Sequence, residues 1–247
     1  MRIHKIIIVL VGVIFSAFNG FAGEDGLIAH WPINEGTGTE IKDISGNNHN
    51  GVLLNSENSK WVDGRTGKAL LFDNSKAPVK KQSCISVSGM GQDDFSKGLT
   101  IEMWIKRSPG AKREAMHTII GNAVDVRGPG MSFMISWNRL LFQSGDGKSK
   151  DTIFGNAVSS TGNDPITLDQ WYHVAGTYDG SAYNIFVNGV KVAEGQKDAK
   201  LTKGSDILSI GAYGYGYSDG FDGIISDVKI YNKAKSQLEI VEAAKGL

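Results

Sequence analysis

The sequence predicts an all-β protein, an antiparallel two-sheet sandwich with a short C-terminal helix. Many segments alternate apolar and polar residues with the period of two that half-buried strands show. Thirty-two glycines against five prolines indicate frequent tight turns between short strands. The 247 residues are 40% hydrophobic and 21% charged, which is an ordinary globular composition. A β-sandwich of this length commonly forms a single domain.

The first 22 residues predict an export signal that is removed from the mature protein. Arg2 and Lys5 precede an apolar run over residues 6–18, and residues 20–22 form a small-x-small cleavage site. The run is short for a bilayer crossing, and no cysteine stands at the cleavage site to carry a lipid. An uncleaved anchor is the alternative. We expect residues 23–247 to form one domain that is secreted, periplasmic or in the cell envelope, without stable membrane insertion.

Charge and cysteine content narrow the possible functions. The whole chain has 26 basic and 26 acidic residues. Cleavage of the signal removes two basic residues, so the mature chain has 24 basic and 26 acidic residues and a net charge of −2. Because no basic patch dominates, we do not expect nucleic acid as the main partner. Cys84 is the only cysteine, and its strand-like surroundings predict a buried, inert thiol rather than a disulfide.

The clearest local patterns predict strands joined by hairpin turns. Residues 99–106 alternate cleanly, and residues 131–143 predict a hairpin that turns near Asn138. Residues 171–193 predict a three-stranded meander with two-residue turns at Asp179-Gly180 and Asn188-Gly189. Both dipeptides favour the type I′ turn, which requires positive φ at both positions.

The segment over residues 223–236 predicts a last strand followed by a helix. Alternation places Ile224, Val228 and Ile230 on one face, and on the other face Ile225, Asp227, Lys229 and Tyr231. A carboxylate in mid-strand is unusual because a buried charge is unfavourable unless it is paired or bound to a metal. Asp227 therefore requires a partner. Ser236 and, three residues later, Glu239 predict the capping box of the helix.

These segments, taken in order, resemble the laminin-G-like jelly-roll family within the concanavalin A-like lectin/glucanase fold. The resemblance covers residues 26–240 and is carried by residues 26–38, 43–51, 61–73, 99–106, 171–180 and 221–236. It implies that the two predicted sheets form a jelly roll. One fold hosts many functions, so the resemblance identifies the fold better than the ligand.

The resemblance also implies a structural calcium ion between the N-terminal polar loop and the last strand. Asp43 and Asp227 match the family's carboxylate ligands, and backbone oxygens around Asn48 and Gly51 would complete the shell. Calcium takes six to eight oxygens, which loops rich in Asp, Asn and Gly supply. The alternatives are that Asp43 caps its own loop and that Asp227 pairs with a neighbouring Lys or Arg.

The sequence favours binding over catalysis. The Glu-x-Asp-x-x-Glu pattern of the fold's glucanases does not occur, and Glu102 lacks an acidic neighbour at same-face strand spacing. No string matches the Arg, Gln, His and Tyr cluster of the fold's lyases, and no two histidines have metal-ligand spacing. A polysaccharide-active hydrolase or lyase of the same fold remains the alternative.

Aromatic residues in predicted loops are the candidates for ligand contact. Trp137 lies at a predicted hairpin tip, and Tyr213 and Tyr215 alternate with glycines. Such side chains stack on the apolar face of a pyranose, although they also brace loops. Trp31, Trp104 and Trp171, by contrast, match core positions of the family. We expect the partner to be a glycan or a cell-surface protein, and a protein–protein adhesion module is the further alternative.

Overall fold

Two antiparallel sheets pack face to face in the computed structural model, as the sequence predicts. The structure describes residues 24–95, 97–112, 115–123, 129–145, 156–159, 165–196, 201, 203–214 and 216–246. The predicted signal over residues 1–22 and Tyr215 lie outside these ranges. Within them, α1 is nine residues long, and no helix is long and apolar enough to cross a bilayer.

The described strands and the helix follow one another along the chain. They are β1 Leu27–Trp31, β2 Glu40–Ile41, β3 Gly51–Leu54, β4 Ser59–Asp63, β5 Lys68–Asp73, β6 Cys84–Val87, β7 Leu99–Arg107, β8 Met116–Gly121, β9 Gly130–Ser136, β10 Arg139–Gly145, β11 Asn156–Ser159, β12 Trp171–Tyr178, β13 Ala182–Val187, β14 Val190–Gln196, β15 Leu208–Ile210, β16 Asp222–Tyr231 and α1 Gln237–Lys245.

Each sheet orders its strands differently from the chain. The first sheet runs β14-β13-β12-β7-β16-β5-β4, with β1 also paired to β16, and the second runs β11-β10-β9-β8-β15-β6-β3-β2. Side chains between the sheets form one continuous apolar core, to which β7 contributes Leu99, Ile101, Met103 and Ile105. Cys84 is also buried and unpaired, and burial raises the pKa of its thiol to about 12, as expected for an inert residue.

The outer face of the first sheet is covered as well. Thr100, Glu102 and Trp104 of β7 point away from the core but are buried. Helix α1 covers part of this face through Ile240, which clusters with Ala175 and Phe186. The predicted capping box begins the helix, since Ser236 Oγ accepts from the Glu239 N–H and Glu239 Oε2 accepts from the Ser236 N–H.

The hairpin turns agree with the sequence prediction in two of three cases. Asn188 and Gly189 both have positive φ, as a type I′ turn requires. The β9–β10 hairpin turns at Trp137 and Asn138 in the same way. The prediction for Asp179-Gly180 was wrong. Tyr178 pairs with Tyr183, so the turn is centred on Gly180 and Ser181, one residue later than predicted, with positive φ only at Gly180. The Asp179 carboxylate stabilises this turn by accepting from the N–H groups of Ser181 and Ala182.

Strand β16 has three partners in the first sheet and contains a bulge. It pairs with β7 on one edge, and on the other edge with β5 up to Ile225 and with β1 from Val228. The register shifts between Ser226 and Lys229, and Asp227 has a φ of 51°. The bulge changes the alternation, so Ile225, Val228 and Ile230 are fully buried in the core, and the prediction for Ile224 was wrong.

A group of polar side chains, here called the outer-face cluster, joins the ends of the described chain to the middle of β7. Lys235 Nζ lies 2.9 Å from Glu102 Oε1, and both side chains are buried. The Tyr231 hydroxyl lies 3.1 Å from Glu102 Oε1 and 2.8 Å from Glu24 Oε1. Burial and the two carboxylates raise the pKa of Tyr231, so it stays a neutral donor.

We predict that Lys235→Met lowers the free energy of unfolding by about 3–5 kcal/mol, because it leaves the Glu102 carboxylate buried without its cation. Denaturant unfolding followed by tryptophan fluorescence measures the change. The double variant Glu102→Gln with Lys235→Met removes both charges and should recover most of the loss. Equal losses in the single and double variants would mean that packing, not the unpaired charge, causes the effect.

Candidate functional site

Asp43 is the centre of the N-terminal polar loop. Its Oδ1 accepts hydrogen bonds from the N–H groups of His30 and Ser45, and its Oδ2 accepts from the Ser45 hydroxyl and the His49 N–H. Burial alone would raise the pKa of Asp43, but these backbone hydrogen bonds outweigh it and keep the pKa below its ordinary value. The side chain therefore organises the loop around an ionised carboxylate.

Asp227 pairs with His30. The His30 Nε2–H donates to Asp227 Oδ1 at 2.6 Å, although the two residues lie 197 positions apart. Burial alone would raise the pKa of Asp227, but the hydrogen bond from His30 and the charge of Lys229 hold it below its ordinary value. His30 thus contacts both of the predicted carboxylate ligands, Asp43 through its backbone and Asp227 through its ring.

The donors around these carboxylates do not fit a calcium ion shared by Asp43 and Asp227. A carboxylate offers about four lone-pair positions, and four donors already surround Asp43. Gly51 pairs with strands on both sides, and Asn48 is exposed. The described residues contain no cluster of three or more His, Cys, Asp or Glu side chains that could hold a metal. Calcium binding stays a prediction from the resemblance.

Trp137 is exposed at the tip of the β9–β10 turn. Its exposed fraction is 65%, and its φ of 51° lies in the left-handed region. A bulky residue there is strained, since the left-handed conformation costs about 1–2 kcal/mol for an L-residue other than glycine. The turn therefore presents an indole to solvent at the expense of backbone strain, which is a pattern found at functional sites.

The tyrosine loop is more closely packed. Tyr213 is partly buried and lines a pocket of about 150 Å³ together with Gly121 and Ser209. Its N–H donates to the carbonyl of Ser218. Tyr217, which is 48% exposed, lies with its ring 5.3 Å from Lys80 Nζ. In the described part of the loop, Tyr213 is therefore partly buried, and Tyr217 is the tyrosine that faces solvent.

A polar cleft on the outer face of the first sheet was missed by sequence reasoning. We call it the outer-face cleft; its volume is about 340 Å³, and it is lined by His30, Pro32, Asn34, Arg65, Thr66, Trp104, Ser226, Asp227, Lys229, Glu242, Ala243 and Gly246. The Arg65 guanidinium lies 4.0 Å from the centre of the Trp104 ring. The only available signal was that Trp104 alternates onto the face opposite the core residues of β7.

His173 and Glu102 lie beside this cleft, beneath Trp104. The His173 and Trp104 rings meet edge to face at 5.4 Å. His173 Nε2 is 3.8 Å from Glu102 Oε2, but that carboxylate is already paired with Lys235. Burial and the Lys235 charge therefore dominate and lower the pKa of His173 to about 4. Glu102 is thus buried and ion-paired through Oε1.

Comparison with protein families identifies the fold family. The Laminin_G_3 model of the concanavalin A-like lectin/glucanases superfamily matches residues 81–241. The chain belongs to this family. The match overlaps the region of the resemblance, residues 26–240, over residues 81–240. Among curated proteins, no relative matches the chain.

Several solved structures similar to this laminin-G-like domain are described as binding domains. The binding domain of botulinum neurotoxin DC, described in complex with SialylT, has a TM-score of 0.64 at 16% identity, over 90% of this chain and 51% of that one. The binding domain of Paraclostridial Mosquitocidal Protein 1 has a TM-score of 0.64 at 18% identity, over 90% and 52%. The laminin-G-like domain thus spans about half the length of these toxin domains.

A third similar structure matches along its whole length. Domain 4 of AbnA, an extracellular arabinanase from Geobacillus stearothermophilus, is described in complex with arabinotriose. It has a TM-score of 0.60 at 20% identity, over 90% of this chain and 99% of that one. At these identities the likeness establishes the fold of the laminin-G-like domain.

We expect excess EDTA to leave the melting temperature unchanged, because four donors already surround the Asp43 carboxylate. Asp43→Ala should lower stability by about 2 kcal/mol or more, equally with and without chelator, since several buried N–H groups lose a charged acceptor. Differential scanning fluorimetry measures both. A chelator-dependent fall in melting temperature that Asp227→Ala abolishes would instead establish the calcium site.

We also predict that stability falls between pH 6.5 and pH 4 because of His173. The unfolded chain protonates this histidine near pH 6.5, whereas the folded chain does so only near pH 4, so lowering the pH favours unfolding. The shift corresponds to roughly 3 kcal/mol of unfolding free energy across that window. His173→Phe should flatten this part of the profile measured by denaturant unfolding. An unchanged slope in the variant would contradict the assignment.

Proposed function

We propose that this domain is a non-catalytic recognition module that binds glycans, with Trp137 as the main contact. The observation that carries the proposal is the exposed, strained indole at the β9–β10 tip. A pyranose presents a face of C–H groups, which packs against the flat π-surface of an indole. At recognition surfaces, a few residues, often tryptophans, contribute most of the binding energy.

The same chain forms an identical type of turn without strain, which strengthens this interpretation. Asn188-Gly189 adopts positive φ at both positions with the residues that tolerate it best. Trp137-Asn138 places a bulky aromatic at the first of these positions. Folding alone therefore does not require the indole at that position, and ligand contact supplies a reason for it.

The fold supports a binding role. The similar structures include a module described with arabinotriose and toxin binding domains. Jelly-roll sandwiches hold their loops on rigid sheets, which suits recognition. Glycan binding is the specific form that we propose for this chain, and a cell-surface protein is the competing partner that the experiment below tests.

The proposal places the domain outside the cytoplasm, because residues 1–22 have the pattern of an export signal. It does not depend on calcium. Ligand contact at the β9–β10 tip involves neither Asp43 nor Asp227, so the outcome of chelation and the outcome of glycan binding are independent.

We predict that Trp137→Ala weakens binding to glycans by tenfold or more, since an aromatic anchor contributes about 2 kcal/mol or more. A glycan array with the mature domain identifies ligands, and isothermal titration compares the variants. Leu238→Ala on α1 is the control, because Leu238 is also exposed, at 77%. Equal affinity of Trp137→Ala, or no glycan bound while a cell-surface protein binds, would refute the proposal.

A second variant, in which both residues of the β9–β10 turn are replaced, tests the same prediction. Trp137→Asn combined with Asn138→Gly installs the residues that the type I′ turn prefers. We expect this variant to gain about 1 kcal/mol of unfolding free energy while losing glycan affinity. A loss of stability would show that the indole contributes to folding rather than to recognition.

A further inference from the structure

The outer-face cleft lies between strands β7 and β16 and the end of helix α1. Residues from the sheet form its floor, and Glu242, Ala243 and Gly246 of the helix and its C-cap form one wall. Its volume of about 340 Å³ is within the range of small-molecule sites. Trp137, by contrast, lies at a turn of the second sheet, so the cleft is a separate site.

Arg65 is a preorganised cation in this cleft. Its guanidinium stacks over Trp104 at 4.0 Å and donates a long hydrogen bond of 3.4 Å to the carbonyl of Gly246. A Cβ on Gly246 would lie 2.4 Å from an Arg65 nitrogen, so the glycine permits the close approach. Stacking holds one face of the guanidinium and leaves its edge donors available in a fixed plane.

Arg65 also differs from the other charged groups of the cleft in its pairing. Lys229 lies 3.9 Å from Glu24, Glu242 lies 2.6 Å from Lys245, and Asp227 pairs with His30. Among the described residues, no carboxylate lies within ion-pair distance of Arg65. A half-buried guanidinium whose planar donors lack an acid is suited to a carboxylate ligand, which it binds with two parallel hydrogen bonds.

Asp227 supplies a complementary acceptor. Its backbone is fixed by the bulge and by the hydrogen bond from its N–H to the carbonyl of Pro32. Only Oδ1 contacts His30, and the side chain is 42% exposed. An ionised carboxylate accepts hydrogen bonds and repels another carboxylate. A ligand that fits both groups therefore has an acidic group at Arg65 and hydroxyls at Asp227.

We propose that the outer-face cleft binds the acidic ring of a saccharide, with Arg65 holding the ring's carboxylate and Asp227 accepting from its hydroxyls. Hexuronic acids and sialic acids share this chemistry, which combines a carboxylate with a hydroxylated pyranose. Trp104 contributes by positioning Arg65. The proposal adds a charge-selective site to the recognition by Trp137 and stands on different residues.

Isothermal titration with trigalacturonate and with sialyllactose tests the proposal and separates the two sources. The matched neutral ligands are the methyl ester of trigalacturonate and lactose. We expect at least one acidic ligand to bind at least tenfold more tightly than its neutral counterpart, because a charge-assisted pair is lost in the latter. Equal binding of the acidic ligand and its neutral counterpart in both pairs, or no binding of either acidic ligand, would overturn the proposal.

Variants of the cleft identify the residues. Arg65→Gln should weaken binding of the acidic ligand about tenfold or more, and Arg65→Lys by a smaller factor, because lysine keeps the charge without the planar fork. Asp227→Asn should weaken it about threefold or more, and asparagine tolerates the left-handed backbone. Melting curves of each variant report any loss of folding, and the Lys and Asn variants are the informative ones if Arg65→Gln unfolds.

Leu238→Ala is the control, because Leu238 is exposed on α1 and lines neither the cleft nor the β9–β10 tip, and it should leave the affinity for the acidic ligand unchanged. If Trp137→Ala abolishes binding of the acidic ligand while Arg65→Gln retains it, the cleft proposal is wrong and glycan recognition by Trp137 stands. If neutral glycans fail to bind while acidic ligands bind through Arg65, the cleft proposal stands and the role of Trp137 is wrong.

Discussion

The bulge at Asp227 is the constraint on which the first sheet depends. Strand β16 pairs with β7 along one edge but must serve two partners on the other, β5 and then β1. An extra residue at the change of partner lets both pairings keep their own register. Asp227 adopts the left-handed backbone there, its N–H bonds to Pro32, and its carboxylate bonds to His30 of the incoming strand. The first and last strands are thereby joined at one point.

The same bulge explains why the outer face of the sheet is polar. It turns Asp227 away from the core and brings Ile225 into it. On the same face, Glu102 pairs with Lys235, which immediately precedes the cap of α1, and Tyr231 links this pair to Glu24. Charged side chains thus lie on the outer face of the first sheet, where apolar side chains would otherwise pack against the helix. Their network positions α1, and the end of α1 forms a wall of the outer-face cleft.

The sequence predicted features that depend on neighbours in the chain. The alternation of β7, the Asn188-Gly189 turn and the Ser236 and Glu239 cap follow from local propensity and were all confirmed. The residues of β16 that face the core on each side of the bulge were not predictable, because the local sequence of an alternating strand does not reveal a bulge. The Asp227–His30 pair and the stacking of Arg65 on Trp104 join residues that are distant in sequence, so only the folded topology brings them together. The candidate sites were therefore less predictable than the fold.

Both candidate sites contain a residue with a left-handed backbone, a conformation that Ile33 and Lys80 also adopt elsewhere in the scaffold. At Asp227 the left-handed backbone serves the sheet, and an aspartate tolerates it better than most residues. The Asp227 carboxylate is thus exposed in the cleft because the bulge requires this backbone, and Arg65 adds selectivity for an acidic ligand. At Trp137 no such requirement exists, since the Asn188-Gly189 hairpin shows that this chain makes the same turn with favourable residues. Trp137 is exposed and has a backbone conformation that a tryptophan disfavours. Contact between the indole and a ligand explains its presence better than the folding of the hairpin does.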